Sequence, residues 1–152
     1  MIKDANVSNN PGPYNVFFGT GGAIVCDNST SLIERCIIKG NKALVMTKDT
    51  LGGVGAGLSF ASSDVTLNDT LIEGNEALYV SAIDVGPDSN VTINRCTIAE
   101  NKALGVQHHG TYAKGDVAGI GIAIGSEVIM DDVSISNNQA ADEYAAITNG
   151  EH

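Results

Sequence analysis

The chain has 152 residues, with 18 acidic and 8 basic side chains and a formal net charge of −10 at neutral pH. This charge argues against binding to nucleic acid or to an anionic membrane surface, and no apolar run is long enough to insert into a membrane. The length predicts one domain, and 18 glycines with 5% aromatic residues favour thin, tightly turned coils over a globular α/β core.

A short motif recurs along the chain and ends with an asparagine followed, two residues later, by an alanine. Full copies end at Ala43, Ala77, Ala103 and Ala140, and a degenerate copy, IKDANVSNNPG, opens the chain. The asparagines of successive copies are 31, 34, 26 and 37 residues apart: Asn10, Asn41, Asn75, Asn101 and Asn138. Repeats at intervals of about 20–50 residues indicate a solenoid, a propeller or an array of stacked units.

Each copy predicts two short strands joined by a corner. Apolar residues stand three and eight positions before each asparagine, and the position five before it holds small or apolar residues: Ala5, Cys36, Thr70, Cys96 and Val133. Alternation with a period of two predicts a strand, and the polar pair that interrupts it predicts the corner. One such unit cannot bury its apolar face alone. We therefore predict an all-β, single-domain, right-handed parallel β-helix of about five coils, stacked about 4.8 Å apart.

In chain order, a half coil over residues 1–10 is followed by full coils over 21–43, 54–77, 81–103 and 117–140, and residues 145–152 begin a further coil. Variation in length falls between the alanine and the next coil, so the loops 11–20, 44–53 and 104–116 share one face, the usual binding surface of a solenoid. The apolar loop 11–20 either caps the core or contacts a partner. Candidate recognition residues are Tyr14, Phe17, Phe18, His108, His109 and Tyr112.

Two columns of equivalent residues predict how the coils stack. The asparagines are expected to form an inward ladder of side-chain hydrogen bonds through Asn41, Asn75, Asn101 and Asn138, although asparagine is also a common turn former. Six residues before each asparagine the charge alternates: Asp4, Arg35, Asp69, Arg95 and Asp132. Each of these charges is expected to lie between opposite charges, because a slip by one coil would place like charges together.

The three cysteines do not predict a disulfide framework. Cys36 and Cys96 stand in one column two coils apart, roughly 10 Å, which is too far for a disulfide. We expect both, and Cys26, to be small buried apolar side chains. The motif begins without a preceding signal peptide, which suits a mature product, an excised segment or a cytoplasmic chain.

Two short signatures carry a resemblance to a known family. GGAI at residues 21–24, followed by I-x-x-N at residues 38–41, resembles the repeats of polymorphic outer-membrane proteins, whose paired signatures are GGAI and F-x-x-N. Weaker copies of GGAI stand at residues 81–83 and 145–147, and Ile or Val replaces the family's Phe. The resemblance covers most of the chain and is shared with other β-helices of the pectate-lyase-like superfamily. It implies an extracellular or cell-surface β-helix with a role in adhesion.

Catalytic and metal-binding patterns are weak. A carbohydrate-active β-helix needs carboxylates clustered in the loop face, and that interpretation depends on Asp49, Asp84 and Asp116 converging in space. The pair His108–His109 lacks a third ligand in sequence. We expect a protein that is not an enzyme, with no cofactor and no metal site.

The two ends of the chain are complementary parts of one coil: residues 1–10 supply its later strands, and AAITNGEH supplies its first strand. Because a bare coil end exposes unpaired strand edges, we expect copies of the chain to stack head to tail into a filament. Asp132 would then face Asp4 of the next copy, which opposes stacking. The alternatives are an excised repeat of a surface adhesin, and a carbohydrate-binding or carbohydrate-active β-helix, with surface glycans or other surface proteins as partners. The residues expected to mediate assembly are Ile2, Asp4, Ala5, Val7, Asn10, Ala145, Ala146, Ile147 and Asn149.

Overall fold

The computed structural model describes residues 1–8, 22–44, 53–108, 111–113, 117–141 and 145–149, with the side chains of 106–108 and 111–113 left undescribed. These residues form 21 short strands and no helix. Strands of successive coils pair in parallel and build four sheets, one along each side of the stack.

Sheets I and II contain the two strands of the repeated motif. Sheet I consists of β1 (Ile2–Lys3), β4 (Thr30–Glu34), β8 (Asp64–Asn68), β12 (Asn90–Asn94) and β18 (Glu127–Asp131). Sheet II consists of β2 (Asn6–Ser8), β5 (Ile37–Lys39), β9 (Leu71–Glu73), β13 (Thr97–Ala99) and β19 (Ser134–Ser136).

Sheets III and IV complete each coil. Sheet III consists of β6 (Lys42–Ala43), β10 (Glu76–Ala77), β14 (Lys102–Ala103) and β20 (Gln139–Ala140). Sheet IV consists of β3 (Ile24–Asp27), β7 (Leu58–Ala61), β11 (Ile83–Val85), β17 (Ile120–Ile122) and β21 (Ile147–Asn149). Part of the segment 104–116, expected to be a loop, forms an antiparallel hairpin of β15 (Val106–His108) and β16 (Thr111–Ala113).

The pairing register reproduces the sequence intervals. In sheet I, Ile2 pairs with Ile33, Ile33 with Leu67, Leu67 with Ile93 and Ile93 with Met130, which are steps of 31, 34, 26 and 37 residues. Each of these residues stands eight before an asparagine of the motif. The predicted all-β, single-domain parallel β-helix is therefore confirmed.

Sheet IV departs from this register by one residue. Leu58 pairs with Ile83, a step of 25 residues, while the following strands of sheet I keep the step of 26. The extra residue is accommodated at Gly86 and Pro87. The Gly86 N–H donates to the carbonyl oxygen of Phe60 at 2.7 Å, and the Ser62 N–H donates to that of Pro87 at 2.9 Å. A one-residue bulge thus restores the register within the corner.

Left-handed backbone conformations mark three corners of the coils, with φ between 46° and 82°. The corner between sheets IV and I contains Asn28, Ser62, Asp88 and Gly125. The corner between sheets I and II contains Asp4, Arg35, Asp69, Arg95 and Asp132. The corner between sheets II and III contains Gly40, Gly74, Glu100 and Asn137. The column of alternating charges therefore lies where the chain bends, and its arginines accept a conformation that costs residues other than glycine about 1–2 kcal/mol.

The core is a narrow apolar column inside the four sheets. Its fully buried members lie mainly in sheets I, II and IV, and they include Ile33, Ile38, Leu58, Phe60, Leu67, Ile72, Ile83, Ile93, Ile98 and Ile120. Ala43 and Ala77 of sheet III form a separate buried cluster with Ala56. The three cysteines are buried and free, and burial raises the pKa of the Cys96 thiol. The structure agrees with the expectation that they act as small apolar side chains.

Candidate functional surfaces: corner ladders and open coil ends

The asparagine column forms a continuous ladder at the corner between sheets II and III. Each side-chain amide donates to the Oδ1 of the next asparagine, at 3.0 Å from Asn41 to Asn75, 2.9 Å from Asn75 to Asn101 and 2.9 Å from Asn101 to Asn138. The same Oδ1 also accepts the main-chain N–H of the preceding asparagine, at 3.0 Å in each case. The Nδ2 of each also donates to a carbonyl oxygen of the preceding coil: Val7, Ile38, Ile72 and Ile98.

Among the described residues, the ladder ends at Asn138 with donors that have no acceptor. Asn138 is only 8% exposed, and its Oδ1 accepts both hydrogen bonds from Asn101. Its main-chain N–H has no acceptor among the described residues, and its Nδ2 has none other than Ile98. In every earlier coil the next asparagine supplies that acceptor. Buried donors without acceptors are costly, so within the described part of the chain this end of the ladder is chemically incomplete.

A second ladder, of serines, lies at the corner between sheets IV and I. The main-chain N–H of Ser29 donates to the Oγ of Ser63 at 3.1 Å, that of Ser63 to Ser89 at 3.4 Å, and that of Ser89 to Ser126 at 3.1 Å. This ladder was not predicted from the sequence, although each serine stands twelve residues before an asparagine of the motif. Serine is common at turns, so the spacing was the one available signal.

Within the column of alternating charges, direct hydrogen bonds join the charges in pairs. The guanidinium of Arg35 donates two hydrogen bonds to the carboxylate of Asp4, at 2.7 and 2.8 Å. That of Arg95 donates two to the carboxylate of Asp69, at 2.7 and 2.9 Å. Each arginine hydrogen-bonds to the aspartate of the preceding coil. Asp69 lies between Arg35 and Arg95 in the column, and both arginines lower its pKa, Arg95 more than Arg35. Within the described part of the chain, Asp132 has no ion pair.

The arginine contacts lower the pKa of two carboxyl groups. The hydrogen bond from Arg35 holds the pKa of Asp4 below its ordinary value, and that from Arg95 does the same for Asp69. Because the pKa is lowered in the folded state, the pairs stabilise the fold above the ordinary carboxyl pKa. This stabilisation is lost as the pH falls through the lowered value.

Replacing Arg95 with glutamine is expected to raise the pKa of Asp69 toward its ordinary value, because the main cause of the shift is removed. Carboxyl carbon chemical shifts followed by NMR from about pH 2 to about pH 6 would measure the change, since this range spans the ordinary aspartate pKa. Asp4 in the same sample is the internal control, because its partner Arg35 is untouched. An unchanged titration of Asp69 would contradict the pairing.

The C-terminal end of the stack is an open coil. Met130 is 39% exposed and Ile147 is 36% exposed, whereas the paired residues one coil earlier, Ile93 and Ile120, are fully buried. These apolar side chains border a cavity of about 650 Å³, lined by Met130, Asp132, Val133, Ile135, Ala146 and Ile147. The interior of the solenoid is therefore uncovered at this end.

The N-terminal end presents the matching strands. β1 and β2 are the outermost strands of sheets I and II, and sheet IV begins one coil later with β3. Ile2, Ala5 and Val7 pack partly buried against the core beneath them. At the C-terminal end the outermost strand of sheet IV is β21, so each end has strands that the other lacks.

The structure places the predicted assembly residues on these two ends. Ala145 and Ala146 are exposed ahead of β21, and Ile147 and Asn149 lie within it. Ile2 lies in β1, Val7 lies in β2, and Asp4 and Ala5 lie between these strands. Asn10 lies outside the described residues.

The predicted recognition residues are described only in part. His108 and Tyr112 lie in the β15–β16 hairpin, whereas Tyr14, Phe17, Phe18 and His109 lie outside the described residues. Asp84 accepts a hydrogen bond from the Ser59 hydroxyl at 3.1 Å, and its two proposed neighbours, Asp49 and Asp116, also lie outside. No group of three or more potential metal ligands occurs within the described ranges.

A shallow polar groove of about 510 Å³ crosses the corner between sheets II and III. It is lined by Gly74, Glu76, Glu100, Lys102, Asn137, Asn138 and Gln139. Glu76 is held by an ion pair with Lys42 at 2.9 Å. In the portion of the chain that the structure describes, no helix has the length and apolarity required to cross a membrane.

Comparison with known proteins agrees with this architecture. A family model described as a right-handed beta helix region matches residues 1–151. No curated protein and no solved structure matches the chain. The match supports the coarser resemblance, to right-handed β-helices of the pectate-lyase-like superfamily, but not the finer one to polymorphic outer-membrane repeats.

Proposed function

This chain belongs to the family of right-handed β-helix proteins, and we propose that it acts as a non-enzymatic structural solenoid whose copies stack head to tail. The observation that carries the proposal is the uncovered coil at the C-terminal end, with exposed Met130 and Ile147 where interior coils are closed. Covering such a surface with apolar side chains of another coil stabilises the stack by about 25 cal/mol for each Å² removed from water.

Extending the observed register by one step shows how two copies would fit. β18 of one copy would pair with β1 of the next, β19 with β2, and β21 with β3. β21 of one copy and β1 and β2 of the next would thus form three sides of one shared coil. Met130 would then stack on Ile2, Val133 on Ala5, and Ile135 on Val7. A heterologous contact of this kind does not close on itself, so it produces a filament.

The charges at such a junction are mixed. Asp131 would lie beside Lys3 of the next copy, which favours stacking, and Asp132 would lie beside Asp4, which opposes it. Asp4 is already neutralised by two bonds from Arg35, so the repulsion is reduced. Exposed pairs of this kind contribute about 0.2–1 kcal/mol each, which is small beside the apolar burial.

We propose that the assembly lies outside the cell or on its surface. The resemblance to polymorphic outer-membrane repeats, which are extracellular, supports this location. That resemblance supports the second candidate, a segment of a longer adhesive passenger whose further coils continue the same stack. Its support in the structure is that sheet IV is preceded by two small residues in every described coil, as in the GGAI signature. Surface glycans or other surface proteins are then partners of the groove and of the loops that the sequence predicts on one face.

Electron microscopy and sedimentation velocity test the proposal. We expect filaments about one β-helix wide that lengthen with protein concentration. Replacing Ile135 with lysine should abolish them, because a charge would have to enter the apolar junction. The matched control is Ser136→Lys in the same strand, since Ser136 is exposed on the outer face and should leave assembly intact.

Folding of both variants is verified by circular dichroism. Monodisperse monomers of the unmodified chain at high concentration would contradict head-to-tail stacking. That result would favour a segment of a longer passenger.

A further inference from the structure

Building on the proposed stacking, we propose that the C-terminal coil end is a binding site for one extended peptide segment, residues 2–10 of another copy. The segment alone is a sufficient ligand. Recognition depends on the incomplete asparagine ladder at Asn138.

The donors at this end that have no acceptor in the described ranges define what the ligand must supply. In earlier coils the N–H of the corner residue donates to a carbonyl of the next coil, for example from Arg35 to Asn68 at 2.9 Å and from Arg95 to Asp131 at 2.9 Å. The N–H of Asp132 has no such acceptor among the described residues. The same holds for Asn137, whose equivalent Glu100 donates to Ser136 at 3.2 Å.

Residues 2–10 carry these acceptors in matching order. In the extended register the carbonyl of Lys3 faces the N–H of Asp132, and the carbonyl of Ser8 faces that of Asn137. Asn10 follows Val7 at the same three-residue interval at which Asn138 follows Ile135. From this sequence interval we expect its side-chain oxygen to supply the acceptor that Asn138, 8% exposed, lacks among the described residues.

The apolar cavity selects the size of the ligand side chains. Ile2 and Val7 would cover Met130 and Ile135, which border the cavity of about 650 Å³. Ala5 would stand over Val133, in the column where interior coils place cysteine or threonine. An extended segment that adds main-chain hydrogen bonds and fills alternate pockets is a recurrent mode of peptide recognition.

The direction of the arginine side chains provides a test of register. Arg35 and Arg95 each bind the aspartate of the preceding coil. A ligand with arginine at position 4 would therefore reach Asp132 in the same way. The natural Asp4 instead places a second carboxylate there.

The experiment titrates a synthetic peptide of residues 1–10 into the full-length, isotope-labelled chain at a concentration where it is monomeric. We expect the largest chemical-shift changes at the main-chain and side-chain amides of Asn138 and at the amide of Asp132. An Asn10→Ala peptide should bind about ten-fold more weakly, because Asn138 keeps its unsatisfied donors. An Asp4→Arg peptide should bind about two- to five-fold more tightly at low salt, with no gain at high salt.

Binding and filament formation are scored separately. A peptide that binds at Asn138 and shortens filaments supports both the site and the stacking. Binding at Asn138 without filaments of the chain supports the site and overturns the proposed function. Filaments that form while the peptide fails to bind would overturn the inference. Binding that leaves the amides of Asn138 and Asp132 unshifted, or equal binding by the Asn10→Ala peptide, would overturn it as well.

Discussion

Replacing Asn101 with alanine is expected to lower the free energy of unfolding by about 3 kcal/mol or more. Asn101 is fully buried and links two neighbouring coils. Its Oδ1 accepts two bonds from Asn75, and its Nδ2 donates to Asn138 and to the carbonyl of Ile72. Alanine would leave these groups buried without partners, so several penalties add together.

Urea denaturation of the two proteins measures the difference in stability. Asn90→Ala is the matched control, because Asn90 is exposed on the outer face and makes one side-chain bond, to Asp64 at 2.9 Å. That substitution should cost less than about 0.5 kcal/mol. Equal losses from the two substitutions would contradict the interpretation of the inward ladder as the main polar support of the stack.

Replacing Gly57 with alanine is expected to destabilise the protein by about 3 kcal/mol, because a Cβ has no room between successive coils. A Cβ at this position would lie 2.5 Å from the carbonyl oxygen of Ala82 and 3.1 Å from a methyl group of Ile72. The carbonyl belongs to the backbone of the next coil, so it cannot move without disturbing sheet IV.

A contrasting glycine separates this packing effect from backbone strain. Gly74 has φ 62°, and no atom lies within 4 Å of the point that an alanine Cβ would occupy. Gly74→Ala therefore meets strain alone and should cost about 1 kcal/mol. Thermal and urea unfolding of both variants tests the comparison. A smaller loss for Gly57→Ala than for Gly74→Ala would show that the coils can separate at sheet IV.

The two substitutions also bear on how the solenoid is stabilised along its length. Asn101 and Gly57 both act between coils and not within one coil. In a stack where each coil contacts only its neighbours, such changes weaken the nearest interfaces first. At the C-terminal end Met130 is exposed, and Asn138 has no further asparagine to bond to within the described residues, so this end is the same kind of interface without its second half.

The sequence alone determined the architecture and much of the register. Because the side chains of a strand alternate with a period of two, the recurring positions before each asparagine identified the inward face. The intervals between asparagines then equalled the pairing steps, as for Ile33 with Leu67 and Leu67 with Ile93. Equivalent positions in a stacked repeat are neighbours in space, so this information is already present in the linear spacing.

The constant spacing of the serines also indicated a ladder, but serine is so common in turns that the residue type gave little support for one. Ser63 and Ser89 resemble ordinary turn residues in sequence, and their hydroxyls are identified as acceptors only once the next coil is in place. The small residues that precede the strands of sheet IV were likewise identified as equivalent only from the structure. Ala56–Gly57–Leu58 aligns with Gly22–Ala23–Ile24 in space, although as a sequence it was not recognised as a copy.

Only the tertiary structure decided three features: the one-residue bulge at Gly86 and Pro87, the left-handed corners, and the direction in which Arg35 and Arg95 reach. The bulge leaves the aligned positions of the motif unchanged, because the register is restored within the same corner. The spacing of the motif therefore does not show it. A long side chain can bind either neighbouring coil, and the choice depends on the backbone direction at the corner. The spacing of residues along the chain specifies which coils are neighbours, whereas the local backbone geometry specifies which neighbour each side chain binds.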